Sequence, residues 1–198
     1  MIEIVLASRN KNKIAEFQVL LENAFDGKIK VLSLDDIGFS GDIVENGETF
    51  EENAIKKAVS IMQASGKAAI ADDSGLCVDA LCGNPGVKTA RFAGEDATDE
   101  ENIKKLLDVM KDIPESERTA RFVCVIAIAI PGKAPITYRG ECEGSILYEK
   151  RGENGFGYDP VFCVKKFGKS AAELPPEVKN NVSHRYAALN KMKNEFTL

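Results

Sequence analysis

Ala68-Ala69-Ile70-Ala71-Asp72-Asp73-Ser74-Gly75 is the stretch from which the rest of the chain is best understood. Ala68 to Ala71 is short and apolar and predicts a buried strand. Two adjacent carboxylates then stand where that strand is expected to end. They repel each other, and folding alone gives no reason to place both there. A hard cation would: Mg²⁺ takes one or two carboxylates and keeps waters for a phosphate-bearing ligand. A carboxylate beside it could act as a base toward water. Ser74-Gly75 predicts a sharp turn that brings the backbone close to a ligand. A polar turn after a strand explains the same residues without chemistry, so the flanking sequence has to decide.

Upstream, Thr49-Phe50-Glu51-Glu52 fits a capping box. It predicts a helix to about Ser65 with Ala54, Ile55, Ala58, Val59 and Met62 as its buried stripe. Glu51, Lys56 and Lys57 are expected in solvent; Asn53, on the first turn, could contact a ligand, with a surface role the plainer reading. The preceding Asp35–Gly47 segment is a polar loop carrying Glu45. Further back, Ile2 to Ala7 predicts a core strand and Lys28 to Leu34 a second. Between them, the polar run Ser8-Arg9-Asn10-Lys11-Asn12-Lys13 precedes a helical apolar face of Ile14, Phe17, Val19, Leu20 and Leu21. A helix start offers free N–H groups and a dipole that suit an anion. The run lacks the glycines of a Walker loop or a dinucleotide fingerprint.

Downstream, a Gly/Pro loop runs from Gly83 to Phe92, and Thr98 to Glu101 forms a second capping box before a helix that ends ahead of Pro114. Arg121–Ile130 and Ile136–Leu147 predict a hairpin around Pro131–Pro135. A glycine-rich loop leads into Phe156-Gly157-Tyr158-Asp159-Pro160 and a short strand, 161–164. Lys169–Glu173 and Pro176–Lys179 predict short helical pieces. Ser183 caps a last helix that begins with His184, the sole histidine, and Arg185. A basic pair on a solvated first turn is the plain reading of those two. The alternation predicts a single mixed α/β domain over residues 1–198.

The bulk composition agrees. With 198 residues, 44% hydrophobic and 29% charged, the chain can bury an ordinary core. A net charge of −5 disfavours nucleic-acid binding, which needs a basic face. The five cysteines form no C-x-x-C pair and read as reduced core thiols of a cytoplasmic protein. No apolar run is long enough to span a bilayer, and the N-terminus has no signal-peptide pattern.

Several motifs now stand in one order: Ser8-x-Asn10-x-x-Lys13, Glu45-Asn46-Gly47-Glu48-Thr49-Phe50-x-Glu52-Asn53-Ala54, Ala71-Asp72-Asp73-Ser74-Gly75-Leu76, Pro85-Gly86-Val87-x-x-Ala90-Arg91-Phe92, Gly155-Phe156-Gly157-Tyr158-Asp159-Pro160 and Ser183-His184-Arg185. Together they resemble the inosine triphosphate pyrophosphatase family, the non-canonical purine nucleoside triphosphate (dITP/XTP) pyrophosphatases, nearly end to end. Lys88-Thr89 departs from the family's usual residues at a position without an assigned role.

The resemblance implies an α/β fold with a mixed central sheet flanked by helices, two lobes with a cleft, and a homodimer. It implies Mg²⁺-dependent hydrolysis of ITP, dITP and XTP to the monophosphate and pyrophosphate, which cleanses the nucleotide pool. Carried onto this chain, Glu45 and Asp73 hold the metal, and Asp73 is also the base for the attacking water. Ser8, Arg9, Asn10, Lys11, Asn12, Lys13 and Lys57 surround the triphosphate, and Ser74 binds substrate. Phe156, Gly157, Tyr158, Asp159, Lys179, His184 and Arg185 form the purine end. Two alternatives keep different signatures: a pyrophosphatase for other modified nucleotides, canonical or modified pyrimidines, as in the septum-formation-inhibitor proteins, and a non-catalytic nucleotide sensor that binds ITP without releasing pyrophosphate.

Overall fold

Short apolar runs alternate with amphipathic ones, and the runs assemble into a seven-stranded sheet. The computed structural model describes residues 2–25 and 28–196. The strands are β1 (Ile2–Leu6), β2 (Ile29–Leu32), β3 (Ala68–Val78), β4 (Thr119–Ala129), β5 (Ile136–Ile146), β6 (Phe162–Val164) and β7 (Lys169–Ser170). Their order in the sheet is β2-β1-β3-β4-β5-β6-β7. β1 pairs in parallel with both β2 and β3, Ile4 opposite Val31 on one side and opposite Ala68 on the other. β6 pairs antiparallel with β5 and β7, so the sheet is mixed, as expected. The helices are α1 (Lys11–Phe25), α2 (Phe50–Ser65), α3 (Asp99–Met110), α4 (Pro176–Asn180) and α5 (His184–Glu195). Among the described residues, no helix is long and apolar enough to cross a membrane.

The chain divides into two compact units. One comprises Met1–Asp73, Cys124–Gly140 and Arg185–Leu198. Its core joins Ile4 and Leu6 of β1, Phe17, Leu20 and Leu21 of α1, Ile126 and Ile128 of β4, and Leu189 and Met192 of α5. The other comprises Ser74–Val123 and Glu141–His184. Its core joins Leu76 and Val78 of β3, Ile103, Leu106 and Met110 of α3, and Val161, Phe162 and Val164. Val123 to Ala129 are all buried, which is why β4 reads as an unbroken apolar run and not as an alternating one.

Sequence and structure part company at several points. β3 does not stop at Ala71. It continues through Asp72, Asp73, Ser74 and Gly75 to Val78, so the turn expected at Ser74-Gly75 is absent. Burial of Leu76 and Val78 against α3 outweighs the local turn preference. Helix α2 begins as expected, with Thr49 Oγ1 accepting from Glu52 N, but Glu52 reaches back to Glu48 N and not to the capping residue. The box at Thr98–Glu101 is reciprocal. Lys169-Ser170 pairs as a strand, leaving only a single 3₁₀ turn, Ala171–Glu173, of the helical piece expected there. Of the cysteines, Cys124 is buried and Cys82 is exposed, so the core reading fails for Cys82.

Candidate active site

Adjacent residues on a strand point to opposite faces. Within β3 this separates the two carboxylates that the sequence places side by side, and each meets its own cation. Lys13 Nζ lies 2.9 Å from Asp72 Oδ2. Lys57 Nζ lies 3.0 Å from Asp73 Oδ1 and 3.1 Å from Glu45 Oε1.

Lys13 stands on the first turn of α1, whose geometry is set from upstream. Asn10 Oδ1 accepts from Lys13 N at 3.1 Å, and Ser8 Oγ accepts from Asn10 N at 3.3 Å. These two residues therefore shape the helix start. Arg9 donates to Gly41 O at 2.9 Å and turns toward the 39–41 loop. The side chains of Lys11 and Asn12 lie outside the described residues.

Lys57 and Asn53 are one turn apart on α2 and share its buried face with Ala54, Ala58 and Ile61. The helical periodicity alone puts both in solvent, and both are buried. Asn53 Nδ2 donates to Asp73 Oδ2 at 3.2 Å, and Asn53 Oδ1 accepts from Gly47 N at 2.7 Å.

These surroundings split the two acids. Burial pushes the Asp72 carboxyl up, but the charges of Lys13, Arg185 and Lys57 outweigh it and hold Asp72 well below the usual carboxylate range. Burial also raises Asp73, and there Lys57 and Lys13 do not fully offset it, so Asp73 ends above its ordinary value. Lys57 is pulled down by burial yet ends above its usual value because Asp72, Asp73 and Glu45 surround it. Asp72 is a fixed anion. Asp73 is the better proton acceptor of the pair.

Asp72 carries a linkage consequence. An acid depressed in the folded state adds stability above its unfolded value near pH 4, and this is lost as pH falls below it. The melting-temperature gap between the native protein and Asp72→Asn is therefore expected to be widest above about pH 5 and to narrow below about pH 4. A gap independent of pH would remove Asp72 as the fixed anion.

A second group of residues lies in the other unit, around the 155–159 loop. Asp159 is buried, and its Oδ2 accepts from Phe156 N at 2.9 Å and from Lys179 Nζ at 2.8 Å. Lys179 Nζ also sits 4.9 Å from the centre of the Phe156 ring. Gly155 has φ +81°, and a Cβ there would lie 2.1 Å from Asp159 Oδ2, so only glycine fits. Gly157 N donates to Asp99 Oδ2 at 2.8 Å, and Tyr158 Oη donates to Thr89 O at 2.9 Å. Asp159 and Tyr158 thus shape the loop that presents Phe156. The His184 ring stacks on Phe122 at 4.9 Å and 14°. His184 and Arg185 are both buried, which overturns the solvated-turn reading.

The sequence matches the model of the Ham1 family over residues 4–195. The chain belongs to the Ham1 family. A Bacillus licheniformis relative named dITP/XTP pyrophosphatase is 49% identical over 193 residues, covering 97% of this chain and 96% of the relative. The solved Ham1 protein of Coxiella burnetii superposes with a TM-score of 0.89 at 46% identity, covering 98% of each chain. The Staphylococcus aureus Ham1 structure gives 0.86 at 43% identity, covering 97% of this chain and 96% of that one.

In this Ham1 protein, the first unit gathers Lys13, Lys57, Glu45 and Asp73, with the charge of Arg185 acting on Asp72. The second gathers Phe156, Tyr158, Asp159 and Lys179. Ser74 follows Asp73 on β3 and is half-buried. Two contributors escaped the sequence reading, Asp99 and Thr89, and Asn53 entered it only as a first-turn residue favoured for the surface. Asp99 looks like a first-turn acid and nothing more. Thr89 gave one signal, its place in the pair that departs from the family pattern, and the structure gives it two bonds, from Leu76 N to Oγ1 and from Tyr158 Oη to its carbonyl.

Proposed function

We propose that this protein is a nucleoside triphosphate pyrophosphatase that hydrolyses dITP, XTP and ITP to the monophosphate and pyrophosphate. The observation that carries the reading is the buried Asp73, raised above its ordinary value and held between Lys57 and Asn53, in a chain nearly half identical to dITP/XTP pyrophosphatases along its length. Asp73 takes the proton of the attacking water. Lys13 and Lys57 meet the phosphates as point charges on rigid helix faces, so no covalent nucleophile is needed.

The donor chemistry also fits a divalent ion. Two carboxylates, Glu45 and Asp73, converge on one cation, the Lys57 ammonium. Among the described residues no cluster of three or more His, Cys, Asp or Glu side chains is placed to hold a metal, and Mg²⁺ suits a site of two carboxylates completed by waters and phosphate. Glu45 and Asp73 would hold it, and it would neutralise charge developing on the phosphate oxygens.

Phe156 offers a ring face to the purine. His184 and Arg185 supply donors that suit the six-oxygen of hypoxanthine and xanthine and leave the amino group of adenine unmatched. Removal of deaminated purines before DNA or RNA synthesis is the role this chemistry serves. The homodimer rests on the resemblance, and the cytoplasmic setting on the cysteines read as reduced thiols.

Pyrophosphate release from ITP, XTP, dITP, GTP, ATP and dTTP, with Mg²⁺ and with EDTA, tests the reading. Release from ITP, dITP and XTP at least ~10²-fold faster than from ATP is expected, and EDTA abolishes it. Preference for dTTP would favour the pyrimidine alternative. ITP binding without release would make the protein a sensor.

A further inference from the structure

Asn53 is 1% exposed, and both ends of its amide are committed. A main-chain N–H can only donate, so the bond from Gly47 N fixes Oδ1 toward Gly47 and turns the NH₂ toward Asp73. The fit is close: a Cβ on Gly47 would lie 2.8 Å from Asn53 Oδ1 and 2.8 Å from Glu52 Cβ. The two oxygens of Asp73 are thereby made different, with Oδ1 on Lys57 and Oδ2 on Asn53. Gly47 is two residues beyond Glu45, whose Oε1 meets the same Lys57 ammonium. A single buried amide ties the Glu45 segment to Asp73.

We propose that Asn53 is a positioning residue for the hydrolysis, fixing the plane of the Asp73 carboxylate by donation to Oδ2 while it anchors the Glu45 segment through Gly47. This rests on the reading of Asp73 as the base. Asn53 need not touch the substrate. It acts by deciding which oxygen of Asp73 faces the water and by preventing rotation about the carboxylate bond. Misplacement of a reacting group by about 1 Å can cost about 10²-fold in rate.

Asn53→Ala removes the donor to Asp73 Oδ2 without placing a second carboxyl, able to share a proton with Asp73, beside it. Loss of a group that orients a reacting side chain typically costs about 10- to 100-fold. We expect kcat for ITP to fall by that factor, with KM held within about threefold. In single-turnover assays, the double variant Asn53→Ala/Asp73→Asn is expected to be no slower than Asp73→Asn alone. A residue that only packs α2 would not give this split or this lack of additivity.

Asn53→Ala with native kcat, while Asp73→Asn is inactive, would overturn the proposal. So would a loss that multiplies in the Asp73→Asn background. An active Asp73→Asn would remove the base first, and this inference with it. Should Asn53→Ala fail to fold, as judged by its melting curve, Asn53→Leu carries the same cycle with the same expected and overturning results.

Discussion

Asp73→Asn is expected to lower kcat for ITP by about 10²- to 10⁴-fold, the usual worth of a positioned general base. The protein should stay folded, because two effects on stability oppose each other. Asp73 is raised above its ordinary value, so its ionised form is disfavoured in the fold, and a neutral amide relieves that. Against this, an amide that keeps its oxygen on Lys57 must turn its NH₂ toward the NH₂ of Asn53, leaving two donors face to face, at a cost of about 1–3 kcal/mol. The net change is expected to be small, a shift in melting temperature of a few degrees. Activity and melting measured on one preparation separate the two. A variant that melts normally and hydrolyses ITP at near the native rate would show that Asp73 is not the base.

Arg118→Met is expected to produce the largest loss of stability. Arg118 is 1% exposed and gives its guanidinium to main-chain carbonyls. Nε donates to Ile146 O at 2.7 Å and one terminal nitrogen to Leu147 O at 2.8 Å, at the end of β5. The other reaches Met110 O and Ile113 O, where α3 ends. The last carbonyls of a helix lack partners within it and carry its negative pole, so a cation there is favourable. The guanidinium also lies 4.1 Å from the centre of the Tyr148 ring. Methionine fills similar space but leaves Ile146 O and Leu147 O unmatched, at about 1–3 kcal/mol each where water cannot reach them, while Met110 O keeps Ile113 N and Ile113 O keeps Tyr148 Oη. A loss of about 3–5 kcal/mol follows, equivalent to about 10 °C in melting temperature for a chain of this size. Arg118→Lys keeps the charge with fewer aligned donors and should recover part of it. A melting temperature within 2 °C or so of the native protein would mean that water or neighbouring groups satisfy the carbonyls.

Much of this molecule is legible in its sequence because periodicity reports burial. Ala54 and Ala58 mark the inward face of α2, and Val123 to Ala129 mark a strand buried on both sides. Thr49 and Thr98 announce the helix starts. Polar residues placed against that periodicity are the ones misread. Asp72 and Asp73 look like the end of a strand because strand interiors are seldom acidic, and only the lysines brought from α1 and α2 make them tolerable there. Asn53 looks like surface because its partners, Gly47 and Asp73, come from two different segments. Arg118 lies in a charged stretch after Pro114 and gives no hint that it is buried. The six motifs are recognisable as patterns. Which atom holds which is a property of the fold.

The parallel pairing of β3 with β1 also constrains how this gene can change. Ile4 opposite Ala68 and Leu6 opposite Ile70 fix which side of the sheet each later residue faces. Losing one codon between positions 68 and 72 would hand Asp72's neighbours to Asp73, gaining one would hand Asp73's neighbours to Asp72, and either would reverse the apolar residues with them. The Asp35–Gly47 loop has no such parity to keep along much of its length. Insertions and deletions should therefore accumulate among descendants of this chain in the loop well before the anionic pair, while the codons of β3 change only by substitution.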